Sequence, residues 1–341
     1  MKQEYFKETL MRKSFLLSMF LCCFSLWTVA ETGTQNPHNV VGASECGECH
    51  EDEVAVWRDT KHYKSFYEVS KSEKGRKIAK NMGIKRIKKD AVCIDCHFLE
   101  GPKDGNIQPI AGISCESCHG PAKKWINVHS DYGGKSVEKQ DEAPEHRSAR
   151  LSQTKSAGMI KPGDLYDLAD NCYGCHLVPE QAVVDTGGHA AGSKFELMSW
   201  SQGEIRHNFF RSDSGKENAI SSAERKRLLF VIGQALELEH SLKGYAKATA
   251  EGDYAAAMKI RMQKSAKRVA WLAKTLKTPE LIQMVAAIKT VKLKLGDSSV
   301  SAAATRIQAA NKQLSESHDG SAWGALDPQL EKLKPKGTPS K

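Results

Sequence analysis

Cysteine and histidine occur together four times at one fixed spacing: Cys46-Gly47-Glu48-Cys49-His50, Cys93-Ile94-Asp95-Cys96-His97, Cys115-Glu116-Ser117-Cys118-His119 and Cys172-Tyr173-Gly174-Cys175-His176. Two thiols separated by two residues can each add to a porphyrin vinyl group, and the histidine after the second thiol then reaches the iron. The spacing predicts four covalently bound haem c groups. Cys46, Cys49, Cys93, Cys96, Cys115, Cys118, Cys172 and Cys175 would form the thioethers, with His50, His97, His119 and His176 as proximal ligands. Zinc would use such cysteine pairs without a histidine each time, and a redox dithiol would occur once, in a βαβ setting. Neither accounts for a fourfold repeat.

Twelve histidines less these four leave eight for the opposite faces of the irons. Glu51 to Lys61 reads as a helix, which would set His50 and His62 about 18 Å apart at about 1.5 Å per residue. Axial nitrogens on one iron are only about 4 Å apart, so His62 must serve a different haem from His50. The same reasoning separates His129 from His119. His189 lies in Gly187-Gly188-His189-Ala190-Ala191-Gly192, where glycine lets backbone approach a flat macrocycle. It is a candidate ligand to the His97 haem, the alternative being a loop histidine bonded to backbone. His38 and His146 lie in polar loops and read as solvated. His240, on an apolar helix, reads as a satisfied interface residue.

The residues resemble the cytochrome c554 family of tetrahaem proteins. The resemblance rests on Cys46 to His50 followed by Trp57-Arg58-Asp59-Thr60-Lys61-His62, and on Cys115 to His119 with Gly120-Pro121 and then His129. It covers about residues 44 to 211. It implies that His62 ligates the third haem and His129 the first. Phe195-Glu196-Leu197-Met198 leading to His207 is similar to the family's late ligand segment, which implies His207 for the fourth. It also implies an open second haem, since cytochrome c554 has no strong sixth ligand there; His189 puts that vacancy in question. The family's electron donor is a hydroxylamine-oxidising enzyme, but no residue here specifies that partner.

The elements holding these residues divide the chain. Residues 1–30 have a basic start, an apolar run from Phe15 to Val29 and Thr28-Val29-Ala30 as a small-residue cleavage site, the pattern of a secretory signal peptide. The run is shorter than the roughly twenty residues of a spanning helix, and no later segment could span a bilayer. Export to the periplasm follows. Removing Lys2, Lys7, Arg12 and Lys13 with Glu4 and Glu8 turns the formal charge of +9 into +7, and the ten cysteines become the eight of the motifs. None is left for a disulfide.

Residues 31–216 are expected to form the haem domain, mainly α with little strand, joined by loops such as Gly101 to Gly105. Residues 217–316 read as an α-helical bundle, with helices at about 221–249, 253–277, 279–295 and 299–315. Asp253 and Thr278 sit where N-caps belong, and Pro279 follows at a first helical position. Met258, Met262, Val269, Leu272 and Leu276 line one face. Residues 317–341 read as a flexible tail.

Lys71, Lys74, Arg76, Lys77, Lys80, Lys85, Arg86, Lys88 and Lys89 crowd one segment against Glu73 and Asp90. That is a solvated helix face or a docking patch for an acidic redox partner. Nucleic acid is excluded by export and by the lack of interleaved aromatics. The expected function is electron transfer between donor and acceptor proteins. The alternative is reduction of nitric oxide, nitrite or peroxide at an open second haem, and the bundle could anchor the cytochrome to a partner.

Overall fold

In the computed structural model, residues 36–211 and 215–337 are described; the signal-peptide reading and the last residues of the tail lie outside them. The chain is mainly α. The motif-bearing region is built of short helices: α1 (Ala43–Gly47), α2 (Glu51–Asp59), α3 (Lys61–Glu68), α4 (Glu73–Asn81), α5 (Ala91–His97), α6 (Cys115–His119), α7 (Pro144–Ser156), α8 (Leu165–His176), α9 (Gln181–Asp185) and α10 (Leu197–Ser201). The second, third and fourth motifs end α5, α6 and α8 at their histidines, and α1 ends inside the first motif at Gly47.

Two strands occur among the described residues, β1 (Leu99–Lys103) and β2 (Asn106–Ala111), paired antiparallel with Lys103 opposite Asn106. The segment Gly101 to Gly105, expected as a loop, is therefore largely strand. Its turn is Asp104-Gly105, both at positive φ, the two-residue connection whose twist matches paired strands.

The helix expected from Glu51 to Lys61 breaks at Thr60. Thr60 is extended (ψ 159°), its N–H bonds back to Trp57, and its hydroxyl accepts from the Tyr63 N–H to start α3. A threonine that can cap the next helix competes with continuing the first. Gly112 lets the chain cross α3 closely, since a Cβ there would lie 2.2 Å from the His62 carbonyl.

Three of the four expected helices fall close to their limits, α11 (Ala223–Lys247), α12 (Asp253–Leu276) and α14 (Ser298–Ser317), whereas α13 (Pro279–Lys289) ends six residues before the expected 295. Thr278 takes the N-cap position with Pro279 behind it; Asp253 is the first helical residue and Gly252 the cap. Met258, Met262, Val269 and Leu272 are buried as their spacing requires. Two expectations fail here. The segment after 317 is ordered: residues 321–326 form a 3-10 helix and α15 (Asp327–Leu330) follows, with Trp323 and Leu326 buried and Arg227 paired to both oxygens of Asp327 at 2.7 Å. Nor does the boundary near 217 separate one core from another. Leu165, Tyr166, Ala169 and Tyr173 of α8 share a single core with α11, and Gln35–Lys341 is one compact unit. Gly233 makes that contact possible: a Cβ there would sit 2.8 Å from the Leu197 Cβ and 3.1 Å from the Tyr173 hydroxyl. No described helix is long and apolar enough to cross a membrane.

Candidate haem-binding site

Each motif histidine faces a second histidine across a narrow gap. Ring centroids are 6.3 Å apart for His50 and His129, 6.3 Å for His97 and His189, 6.3 Å for His119 and His207, and 6.2 Å for His62 and His176. Two imidazoles on one iron, with bonds of about 2.0 Å and about 1.1 Å more from each nitrogen to its ring centre, would stand about 6 Å apart. Four such pairs at nearly one distance, with no hydrogen bond between the rings, have the spacing of axial ligands.

Two pairings differ from the expected ones. His62 faces His176, not His119, and His207 faces His119, not His176. The turn at Thr60 redirects α3, and the close crossing at Gly112 sets His62 beside the end of α8. His62 still lies away from His50, now because of a break rather than a continuous helix. His129 and His189 face His50 and His97 as expected. Of the remaining histidines, His38 is exposed, and His146 lies in α7, not a loop, bonded to Glu142 at 2.8 Å. His240 bonds Asp170 at 2.7 Å and His318 bonds Glu280 at 3.3 Å.

The imidazoles are oriented from behind. His119 Nδ1 bonds the Ile160 carbonyl at 2.9 Å, His189 the Ala190 carbonyl and His207 the Ile205 carbonyl, each at 2.7 Å, and His129 the Ile126 carbonyl. His176 instead bonds the Ser193 hydroxyl at 2.9 Å. Arg261 of α12 holds the Ser193 carbonyl at 2.7 Å and is itself paired to Glu237 of α11 at 2.8 Å, so the bundle reaches this ligand. A group fixed on Nδ1 leaves Nε2 to bind metal. Burial also lowers the pKa of His62, His97, His119 and His129, and takes His176 down to about 4. These rings are held neutral, the form that can bind iron.

The motifs touch one another in an order. The Cys46 and Cys115 thiols are close neighbours, and their interaction raises the pKa of the first and brings the second down to about 7. Glu116, 1% exposed, accepts from the N–H groups of Val41 at 3.0 Å, Gly42 at 2.8 Å and Ala122 at 2.7 Å, tying the third motif to the entry of the first. Asn171, beside Cys172, donates to the Cys118 carbonyl at 3.3 Å. Cys96 and Cys175 are close neighbours, and the Cys175 Sγ lies 3.9 Å from the Asp95 carbonyl. The contacts run first to third to fourth to second motif.

Three buried N–H donors lack an acceptor among the described residues: Trp125 Nε1, Trp200 Nε1 and Arg206 Nε. All three flank the histidine pairs, with Trp125 5.4 Å from His129, Trp200 5.8 Å from His176, and Arg206 next to His207. Buried donors require acceptors, and haem propionates are carboxylates that supply them. The residues therefore fit haem.

A helical scaffold carrying Cys-x-x-Cys-His turns, each with a second imidazole opposite, defines a c-type cytochrome. Residues 45–120 match the family described as cytochrome c554 and c-prime. The chain is similar to the cytochrome c-554 of Nitrosomonas europaea, 26% identical over 148 residues, which cover 40% of this chain and 57% of that protein. These matches support the cytochrome c554 family for this chain, with covalently bound haem c as its cofactor. No solved structure matches it. Sequence reasoning missed Ser193, Arg261 and Glu116; a glutamate inside a haem-attachment turn was the one visible signal.

Proposed function

We propose that the chain is an exported, periplasmic carrier with four haems, each held by two histidines, that passes electrons between redox partner proteins. The observation carrying this reading is the set of four histidine pairs at 6.2–6.3 Å, each containing one motif histidine. Haem supplies one-electron chemistry at iron when bound; the protein supplies the ligands, their orientation and the exclusion of water. Neutral imidazoles held on both faces would ligate the iron from either side, so that little would reorganise when an electron moves. The contacts between motifs support first, third, fourth, second as the order in which the four groups would neighbour one another.

His189 opposite His97, at the same spacing as the other pairs, supports a closed second site and hence a carrier rather than a reductase of nitric oxide, nitrite or peroxide. The test is exposure of the dithionite-reduced, haem-loaded protein to carbon monoxide. No spectral change is expected on the millisecond-to-second scale. A rapid change in about one quarter of the haem absorbance would instead favour the reductase.

A further inference from the structure

The basic segment between the first and second motifs is not spread over the fold. Its charges converge where α4 meets residues 84–86 and the 3-10 turn Ile87–Lys89, which together line one cleft. Lys71, Lys74, Arg76, Lys77, Lys80, Lys85, Arg86 and Lys89 are all exposed, and none of them is in an ion pair among the described residues. A structural role for these charges would show as ion pairs, yet apart from the bond of Arg76 to the Lys71 carbonyl they find no such partner; a solvated helix would intersperse acids, and only Glu73 and Asp90 lie in the segment. Arg76, Lys80, Lys85, Arg86 and Lys88 line an open cleft of about 580 Å³ with Ile84 at its wall.

What lies beneath the face matters more. Ala79 and Ile87 of the basic face form a small core with Ile94 and Phe98, and Cys93 packs against it, so the patch sits directly on the second haem-attachment turn. Lys88 lies 3.3 Å above the Phe66 ring. From there aromatic rings lead inward and outward: Tyr67, 50% exposed, is 5.2 Å from Phe66, Phe66 is 6.2 Å from Phe98, and Phe98 is 6.4 Å from the His97 ring. The second motif is also one of the two ends of the contact order through the four motifs. A terminal site with short aromatic access to the surface, covered by unpaired positive charge, has the features of a port.

We infer that the face formed by α4 and residues 87–89 docks an acidic redox protein, and that electrons cross this interface at the His97 haem. The inference rests on the proposed carrier function and adds the place and the polarity of one partner. Carboxylates of that partner would meet Lys77, Lys80 and Lys85, with its redox centre over Tyr67 and Phe66. Long-range attraction between such faces raises the association rate and fades with salt.

The experiment uses the full haem-loaded protein and photoreduced flavodoxin, an acidic one-electron donor, as the probe. Second-order reduction rates are measured by stopped flow at about 10 mM and about 500 mM salt, where the Debye length falls from about 30 Å to a few ångströms. Lys77→Glu with Lys80→Glu should slow reduction at least tenfold at low salt, with the difference gone at high salt. Lys264→Glu with Lys267→Glu, the same charge change on α12, should alter it less than twofold. Carbodiimide coupling to the flavodoxin should map to lysines of α4 and residues 85–89. Equal losses in the two double variants, no loss in the first, or coupling concentrated elsewhere would overturn the inference. Haem content and reduction by dithionite, read on the same samples, report separately on the carrier function itself.

Discussion

Replacing Glu116 by alanine tests how the first and third haem-attachment turns are held together. Its buried carboxylate accepts three backbone N–H groups, from Val41, Gly42 and Ala122, at 2.7–3.0 Å. Alanine would leave all three donors without that acceptor, the Ala122 N–H in a buried place and those of Val41 and Gly42 in a half-buried one. Hydrogen bonds to a charged group contribute about 1.5–3 kcal/mol each, but removing the carboxylate also relieves the cost of burying it. The expected net loss is about 3–5 kcal/mol. For a chain longer than 250 residues each kcal/mol moves the midpoint by about 2 °C, so Tm should fall by roughly 6–10 °C. Glu116→Gln keeps one oxygen but sets an amide N–H against a backbone N–H, and should fall between alanine and the native protein. The assay is thermal unfolding followed by far-ultraviolet circular dichroism and by the haem absorbance. A Tm within 2 °C of native for Glu116→Ala would refute the claim that this carboxylate joins the two turns.

Three further outcomes follow from the site. His62→Ala should turn the His176 haem high spin and leave the His119 haem unchanged; a structure or resonance assignment placing the change at His119 would return the pairing to that implied by the family resemblance. Ser193→Ala removes the acceptor behind His176, weakens that imidazole as a donor to ferric iron and should raise the potential of that haem alone, with Arg261→Gln acting in the same direction but less; a potentiometric titration with all midpoints unmoved would count against it. For Asp170, burial pushes the carboxyl up, but the His240 hydrogen bond and charge outweigh it and hold the pKa below its ordinary value. Its contribution to stability is therefore present above about pH 4 and lost as pH falls through the lowered value. Asp170→Asn should flatten the fall in Tm between pH 5 and pH 3, and an unchanged slope would contradict this.

The four Cys-x-x-Cys-His motifs are legible because each carries its whole pattern within five residues. The long helices were legible because Leu, Met and Val recur at helical spacing and Thr278-Pro279 marks a start. The opposite ligands were only partly so. His62 and His207 are each placed by contacts between distant segments, and a single break at Thr60 redirects α3 without changing any local motif around His62. The hairpin at Asp104-Gly105 carried its own signal in that dipeptide, outweighed by the glycine and proline beside it. Trp323, Leu326 and Leu330 recur at helical spacing in the tail, but their burial depends on α11 and on Arg227, a hundred residues upstream. Ser193 could not be read at all, since a serine behind a histidine declares itself only when both are in place.

The central claim is four irons, each between two histidines. Haem stoichiometry by pyridine haemochrome and intact mass, with integrated electron paramagnetic resonance of the same ferric sample, tests it most directly. Four haems per chain and only low-spin signals are expected, strongly anisotropic for the near-perpendicular pair His119 and His207 at 83° and more rhombic for His50 and His129 at 22°. Three haems or fewer, or a high-spin signal amounting to one haem in four, would contradict it.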